Sequence, residues 1–207
     1  MLAETKVGPR VAADGAILET RSEKSGAIVT ADAHGRYQEA VLRGNVFFAC
    51  NQAGIATGAG LATAAKNMTL YNPLGSGKNL VLLEITAAIT VAPAAYPGSI
   101  MLAANLPTPT VPAAPATATA ETVQNALLGS ASGAAKVYNT CTLAAAPVAI
   151  RNFASAAWIT TGTTTSMGVV KDEVAGAIIL PPGCYVSIMA TAAVTLQCSM
   201  TWEEVPV

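Results

Sequence analysis

Residues 176–204 read GAIILPPGCYVSIMATAAVTLQCSMTWEE, and their pattern decides the fold. From Val194 to Glu203 the alternation is unbroken. Val194, Leu196, Cys198, Met200 and Trp202 fall on one side, and Thr195, Gln197, Ser199, Thr201 and Glu203 on the other. Successive side chains of a strand point to opposite faces, so a period of two with one apolar face marks an antiparallel strand half buried in a sheet. Upstream, Cys184, Val186, Ile188 and Ala190 form a second apolar row. Residues 190–193 are short enough for a turn, which predicts that the two rows pair as a hairpin. The class that follows is all-β, an antiparallel sandwich.

The same signature recurs toward the N-terminus. Residues 45–50 (NVFFAC) are rich in aromatic and β-branched side chains that suit a strand, and 68–71 make a short strand ended by Asn72-Pro73. After the loop NPLGSGKN, residues 80–90 place Val81, Leu83, Ile85, Ala87 and Ile89 on one face and Glu84, Thr86, Ala88 and Thr90 on the other. Short strands are also predicted at 99–104, 135–143, 148–153, 156–161 and 177–180, with a brief helix at 121–128. That makes about eight to ten strands separated by turn residues, the mark of a sandwich or jelly roll. Prolines at 107, 109, 112 and 115 cannot donate to a strand ladder, so about 105–120 is predicted to be a Pro-rich surface loop.

Two domains of unequal character result. Residues 1–38 hold close to half of the charged side chains, with Gly8-Pro9, Gly15, Gly26 and Gly35 breaking any period. Such a segment cannot fill a core and reads as an extended N-terminal arm. Its short apolar runs, Ala16-Ile17-Leu18 and Ala27-Ile28-Val29, suit docking on a partner. Residues 39–207 are the sandwich.

Composition limits the function. Charged residues make up 11% of the chain, against roughly 25% in an average soluble domain. So little charge defends a monomer poorly against association, and predicts surface covered by other subunits. A net charge of −1 gives no basic footprint, hence no nucleic acid partner. No window offers the roughly 18 uninterrupted apolar residues of a membrane helix, and the charged MLAETKVGPR start does not resemble a secretory leader, so no membrane is expected and synthesis is placed in the cytoplasm. Cys50, Cys141, Cys184 and Cys198 are too far apart for a zinc knuckle; Cys184 and Cys198, on apolar rows of neighbouring strands, read as small buried hydrophobes.

Catalytic patterns fail one by one. GSGK at 75–78 lacks the Gly and Ser/Thr of a phosphate loop, and a strand follows where a helix should start; it reads as a turn holding Lys78. Residues 129–133 (GSASG) place Ala131 where a nucleophilic serine belongs. The lone His34 lies in the arm. Glu84, Asp172, Glu173, Glu203 and Glu204 are the acids available for glycosidic work, with Asp172-Glu173 expected in a loop and Glu203-Glu204 on a solvated rim. Asn67-Met68-Thr69 fits a glycosylation sequon. No catalytic, cofactor-binding or metal-binding residue is therefore assigned, and the chain is not expected to be an enzyme.

GKNLVLLEI after the Asn-Pro turn, AGAIILPPGCYVSI and the terminal SMTWEEVPV together resemble a family of small virion structural proteins of tailed bacteriophages. The resemblance spans about residues 40–207. It implies a jelly roll without a cofactor that decorates or cements the capsid, often as a homotrimer, with the major capsid protein as partner and the virion surface as location. The other reading is a tail-fibre or head-fibre β-sandwich that binds a receptor or glycan.

Overall fold

The computed structural model describes residues 35–91, 98–105, 114–156 and 169–207. Most of the predicted arm, with His34, lies outside the described residues, as do prolines 107, 109 and 112 and most of the strand predicted at 156–161. Contacts divide the chain into Met1–Glu39 and Ala40–Val207. In the described end of the first unit, Gly35 N and O both bond to Gln38, and the Arg36 guanidinium lies 5.2 Å from the Tyr37 ring centre.

Among the described residues, twelve strands follow a single helical turn, α1 (Gln38–Leu42). They are β1 (Val46–Cys50), β2 (Ile55–Ala56), β3 (Ala64–Tyr71), β4 (Lys78–Val91), β5 (Gly98–Ala104), β6 (Ala116–Glu121), β7 (Gln124–Asn125), β8 (Lys136–Thr142), β9 (Val148–Ala156), β10 (Val169–Leu180), β11 (Tyr185–Ala190) and β12 (Thr195–Pro206). The first sheet runs β10-β4-β12-β1-β7 with β2 beside β12, and the second runs β6-β8-β3-β11-β5-β9. Both are antiparallel throughout.

Eight of these strands make the sandwich proper: β1, β3, β4, β5, β9, β10, β11 and β12. They pair first with last (β1 with β12), second with seventh (β3 with β11), third with sixth (β4 with β10) and fourth with fifth (β5 with β9). One long antiparallel hairpin rolled around a core gives that nesting, which is the jelly roll. The strands β6, β7 and β8 belong to an insertion at the hairpin tip, between β5 and β9.

The decisive alternation holds in the structure. Val194, Leu196, Cys198, Met200 and Trp202 are buried, and every polar partner between them is half exposed. They meet Leu82, Ile85, Ala87, Val186, Ile188 and Ala190 in one cluster between the sheets. Trp202 lies opposite Phe47 on β1, the rings stacked at 6.4 Å.

The predicted hairpin is not there. β11 lies in the second sheet and β12 in the first, so Cys184 and Cys198 face the core from opposite sides. Alternation reports which face of a strand is buried, and two strands facing one core from opposite sheets show the same rows as two that share a ladder. The turn 191–194 crosses the end of the sandwich instead. It is held by Thr57 N bonding to Val194 O (2.8 Å), Val194 N to Thr57 Oγ1 (3.0 Å) and Gly60 N to Ala190 O (2.9 Å). The Pro-Pro-Gly turn makes the matching crossing from β10 to β11, with Gly183 at a φ of 88° and its N–H on Asn72 O (2.7 Å).

Other expectations need local correction. On β4 the inward residues are Leu80, Leu82, Ile85, Ala87 and Ile89, with Val81 turned outward. A bulge opposite Thr201 and Trp202 leaves Leu83 without a partner and reverses the phase, which a period of two cannot anticipate. Leu83 is buried at 4% but stands outside the main cluster. No helix forms at 121–128: Asn125 pairs with Phe47 across the β1–β7 ladder. The described end of the Pro-rich stretch becomes strand β6, and Asp172-Glu173 lie inside β10 rather than in a loop.

The second sheet is apolar on both faces. Outside it, Tyr71, Met101, Ala103, Cys141, Leu143, Tyr185 and Met189 make a second buried cluster, with a Thr69–Ser187 hydroxyl bond of 2.8 Å at its middle. Tyr185 Oη donates to Ala145 O at 3.1 Å, and burial pushes its phenol up to about 12.

Candidate functional site

The insertion after β6 docks at one end of the first sheet and forms a cleft of about 430 Å³ there. Gly44, Asn45, Phe47, Lys78, Asn125, residues 130–134 and Glu204 line it. GSGK and GSASG, two motifs far apart in sequence, thus border one cleft. Lys78 is the first residue of β4, opposite Pro206, and not a turn residue. The turn before it is built by Gly75 and Gly77 at φ of 77° and 65°. There Ser76 N bonds to Pro73 O, and Ser76 Oγ donates to Asn72 Oδ1 at 2.7 Å.

Glu204 is the surprise of the cleft. It is 4% exposed instead of solvated. Its carboxylate accepts Ala134 N at 2.9 Å, Ala135 N at 3.0 Å and Trp202 Nε1 at 3.4 Å. A buried carboxylate without partners is costly, and these donors satisfy it. A Cβ at Gly133 would strike Glu204 Oε1 and press on Phe47, so a larger residue there would have to displace the carboxylate from its donors. Asn125 completes the dock: Nδ2 donates to Gly44 O (2.8 Å) and Ala131 O (3.3 Å), while Oδ1 accepts Leu127 N (2.8 Å). The acid and amide of this cleft are committed to holding the insertion.

A second cleft, about 410 Å³, lies along Phe48, Ala49, Cys50, Asn51 and Gln52, with Glu121, Thr122, Gln124 and Gln197 opposite. Asn51 is fully buried: Nδ2 donates to Ala53 O (2.9 Å) and Leu196 O (3.2 Å), and Oδ1 accepts Cys198 N. Gln197 Nε2 donates to Asn51 O and Gln52 O, both at 3.1 Å. Cys50 is exposed, but partial burial of its sulfur and then the Glu121 carboxylate push the thiol above its ordinary value. It is a protonated thiol at neutral pH and lacks the cationic setting of a nucleophile.

Of the remaining acids, Glu84, Asp172 and Glu173 are tied to bases. Lys171 Nζ sits 2.9 Å from Glu84 and 3.4 Å from Glu173 on the outer face of the first sheet; the hydrogen bond to Glu84, then that to Glu173, raises its pKa. Arg151 on β9 grips Asp172 on β10, with Nη2 donating to Oδ1 at 2.9 Å. Its Nε lies 2.7 Å from Oδ2 but off the hydrogen-bond axis, so that contact is Coulombic. This clasp ties the two sheets together at one side of the sandwich. Asp172, at 13% side-chain exposure, is held in place, while Arg151 at 39% keeps water access, which limits the pair to about 1 kcal/mol.

Among the described residues no three of His, Cys, Asp and Glu gather as a metal site. Asn67 of the sequon is fully buried, with Oδ1 on Met68 N, so it presents no acceptor for a glycan in the folded chain. Cys198 is a core residue whose thiol burial pushes far up, and Cys184 packs at the edge of the same cluster. No helix of the described residues is long and apolar enough to cross a membrane.

Sequence reasoning passed over the asparagines. Asn51, Asn72, Asn105 and Asn125 each donate to backbone carbonyls and accept another donor in return, stitching loops to strands. Only Asn72 carried a signal, the following proline. Compared with known proteins, the chain matches no family model, no curated protein and no solved structure.

Proposed function

We propose that the chain is a structural protein of a tailed-phage virion, a capsid decoration protein that binds the shell as a homotrimer and braces neighbouring capsomers. The nested jelly-roll order of the eight main strands is the observation that carries this reading, because it is the architecture that the resemblance of GKNLVLLEI, AGAIILPPGCYVSI and SMTWEEVPV implies. A fold hosts many functions, so two further features matter. The polar side chains that would serve catalysis are spent on structure, as at Glu204, Asp172 and Asn125. The scarcity of charge suits a surface shared with other subunits.

The major capsid protein is the partner in this reading, and the arm of residues 1–38 is the part that reaches it. Ordering such an arm costs entropy, and three arms on one trimer share that cost through avidity. The fibre-tip reading gains less, since Asn125 of the first cleft and Asn51 and Gln197 of the second already have backbone partners.

Co-sedimentation with undecorated capsids tests the proposal. The full chain is expected to pellet with the shell in multiples of three copies, and the chain lacking residues 1–38 to stay in the supernatant while remaining a trimer. Equal binding of the truncated chain would remove the arm from the mechanism, and no binding of the full chain would remove the proposal.

A further inference from the structure

Among the described residues the second sheet ends in two edges, β6 on one side and β9 on the other. Five antiparallel steps separate them, so β6 and β9 run in opposite directions. Where the β9 edge of one copy meets the β6 edge of the next in the same orientation, the two strands are antiparallel and continue the sheet. An odd number of strands would have forced a parallel joint.

Both edges lack the charges that usually block such pairing. β6 reads ATATAE, and its first five residues are exposed. The approach to β9 and its first residues, 144–150, read AAAPVAI; all but Pro147 are exposed, with Val148 at 47% and Ile150 at 38%. Each strand carries one charge, Glu121 on β6 and Arg151 on β9, of opposite sign. Antiparallel alignment of Arg151–Asn152 against Ala120–Glu121 brings Arg151 level with Glu121 and Asn152 level with Ala120, so no like charges meet at the joint, and Arg151 keeps Asp172 as its partner. Thr117, at a φ of 47°, bends the start of β6, and the register with β8 shifts again between Thr119 and Ala120, so Ala120–Glu121 is the regular end of the strand.

We infer that β6 of one copy pairs with β9 of a second copy, and that this head-to-tail joint builds the trimer. The inference rests on the trimer reading above. A heterologous contact of this kind closes into a ring when each joint turns by a third of a circle, and otherwise grows as a filament. Strand addition draws its affinity from main-chain hydrogen bonds, which suits two edges with few large side chains.

Charge swaps at the joint test it in the full chain. Ala120 and Asn152 are exposed and level in this register; Asn152 accepts from Ser99 Oγ at 3.2 Å, a bond that a carboxylate keeps. Asn152→Glu combined with Ala120→Glu sets two acids opposite one another on one face of the joint, whereas Asn152→Glu combined with Ala120→Lys sets an acid opposite a base. The Glu–Glu pair is expected to weaken association on the order of tenfold or more per joint, with an unchanged circular dichroism spectrum, and the Glu–Lys pair to keep it. Analytical ultracentrifugation reads the outcome. A trimer that survives the Glu–Glu pair overturns the β6–β9 joint and leaves the trimer standing. A wild-type monomer at micromolar concentration overturns both.

Discussion

Trp202 and Glu204 stand two residues apart on the inward face of β12, and the indole Nε1 donates to Glu204 Oε1 at 3.4 Å. The largest side chain of the core is thereby linked to the carboxylate that holds the insertion, since the same Oε1 accepts Ala135 N. Core packing and the seating of residues 129–135 are coupled through one strand end.

Trp202→Ala should cost about 3–5 kcal/mol, because it empties a fully buried site stacked on Phe47 and strips one donor from Glu204. Denaturant unfolding measures it. A cost within about half a kcal/mol would mean that the strand does not face the core.

Glu204→Ala leaves the amides of Ala134 and Ala135 without their acceptor, at a cost of about 1–3 kcal/mol. Hydrogen exchange at these two amides should speed up much more than at β11. Uniform exchange change across the sandwich would contradict a local role as the insertion's dock.

Tyr185 has a definite alkaline signature. Its phenol is raised from 10.0 to about 12, chiefly by burial, so the folded form keeps a proton that the unfolded chain gives up first. The sign follows from linkage: stability is full below pH 10 and falls as pH rises from there toward 12. Tyr185→Phe should flatten that fall while adding a constant loss from the missing bond to Ala145 O. A fall of unchanged steepness would show that Tyr185 is not the group responsible.

Thiol labelling should follow burial. Cys50 should react first with a maleimide, Cys184 more slowly, and Cys141 and Cys198 only on unfolding. Rapid labelling of Cys198 in the native protein would place β12 outside the core.

Much of the sandwich was legible in the sequence because burial on one face leaves a period of two, as from Val194 to Trp202. Partnership between strands left no such trace. Val186 and Leu196 look alike in a row pattern, whether their strands share a ladder or face each other across a core. Leu83 was misread because a one-residue bulge flips the phase without any change of composition. Glu204 was misread because its donors are backbone amides about seventy residues away, and an amide carries no sequence signature. The Gly-rich segment around Gly133 was the only hint that another chain segment comes close.

A density map of purified particles by electron microscopy tests the proposed role most directly. A virion structural protein of this kind should appear as three jelly rolls around each local three-fold position on the outer shell, with residues 1–38 in contact with the capsid protein. Particles carrying no such density, or carrying it at a fibre tip alone, would contradict the role as a capsid decoration protein.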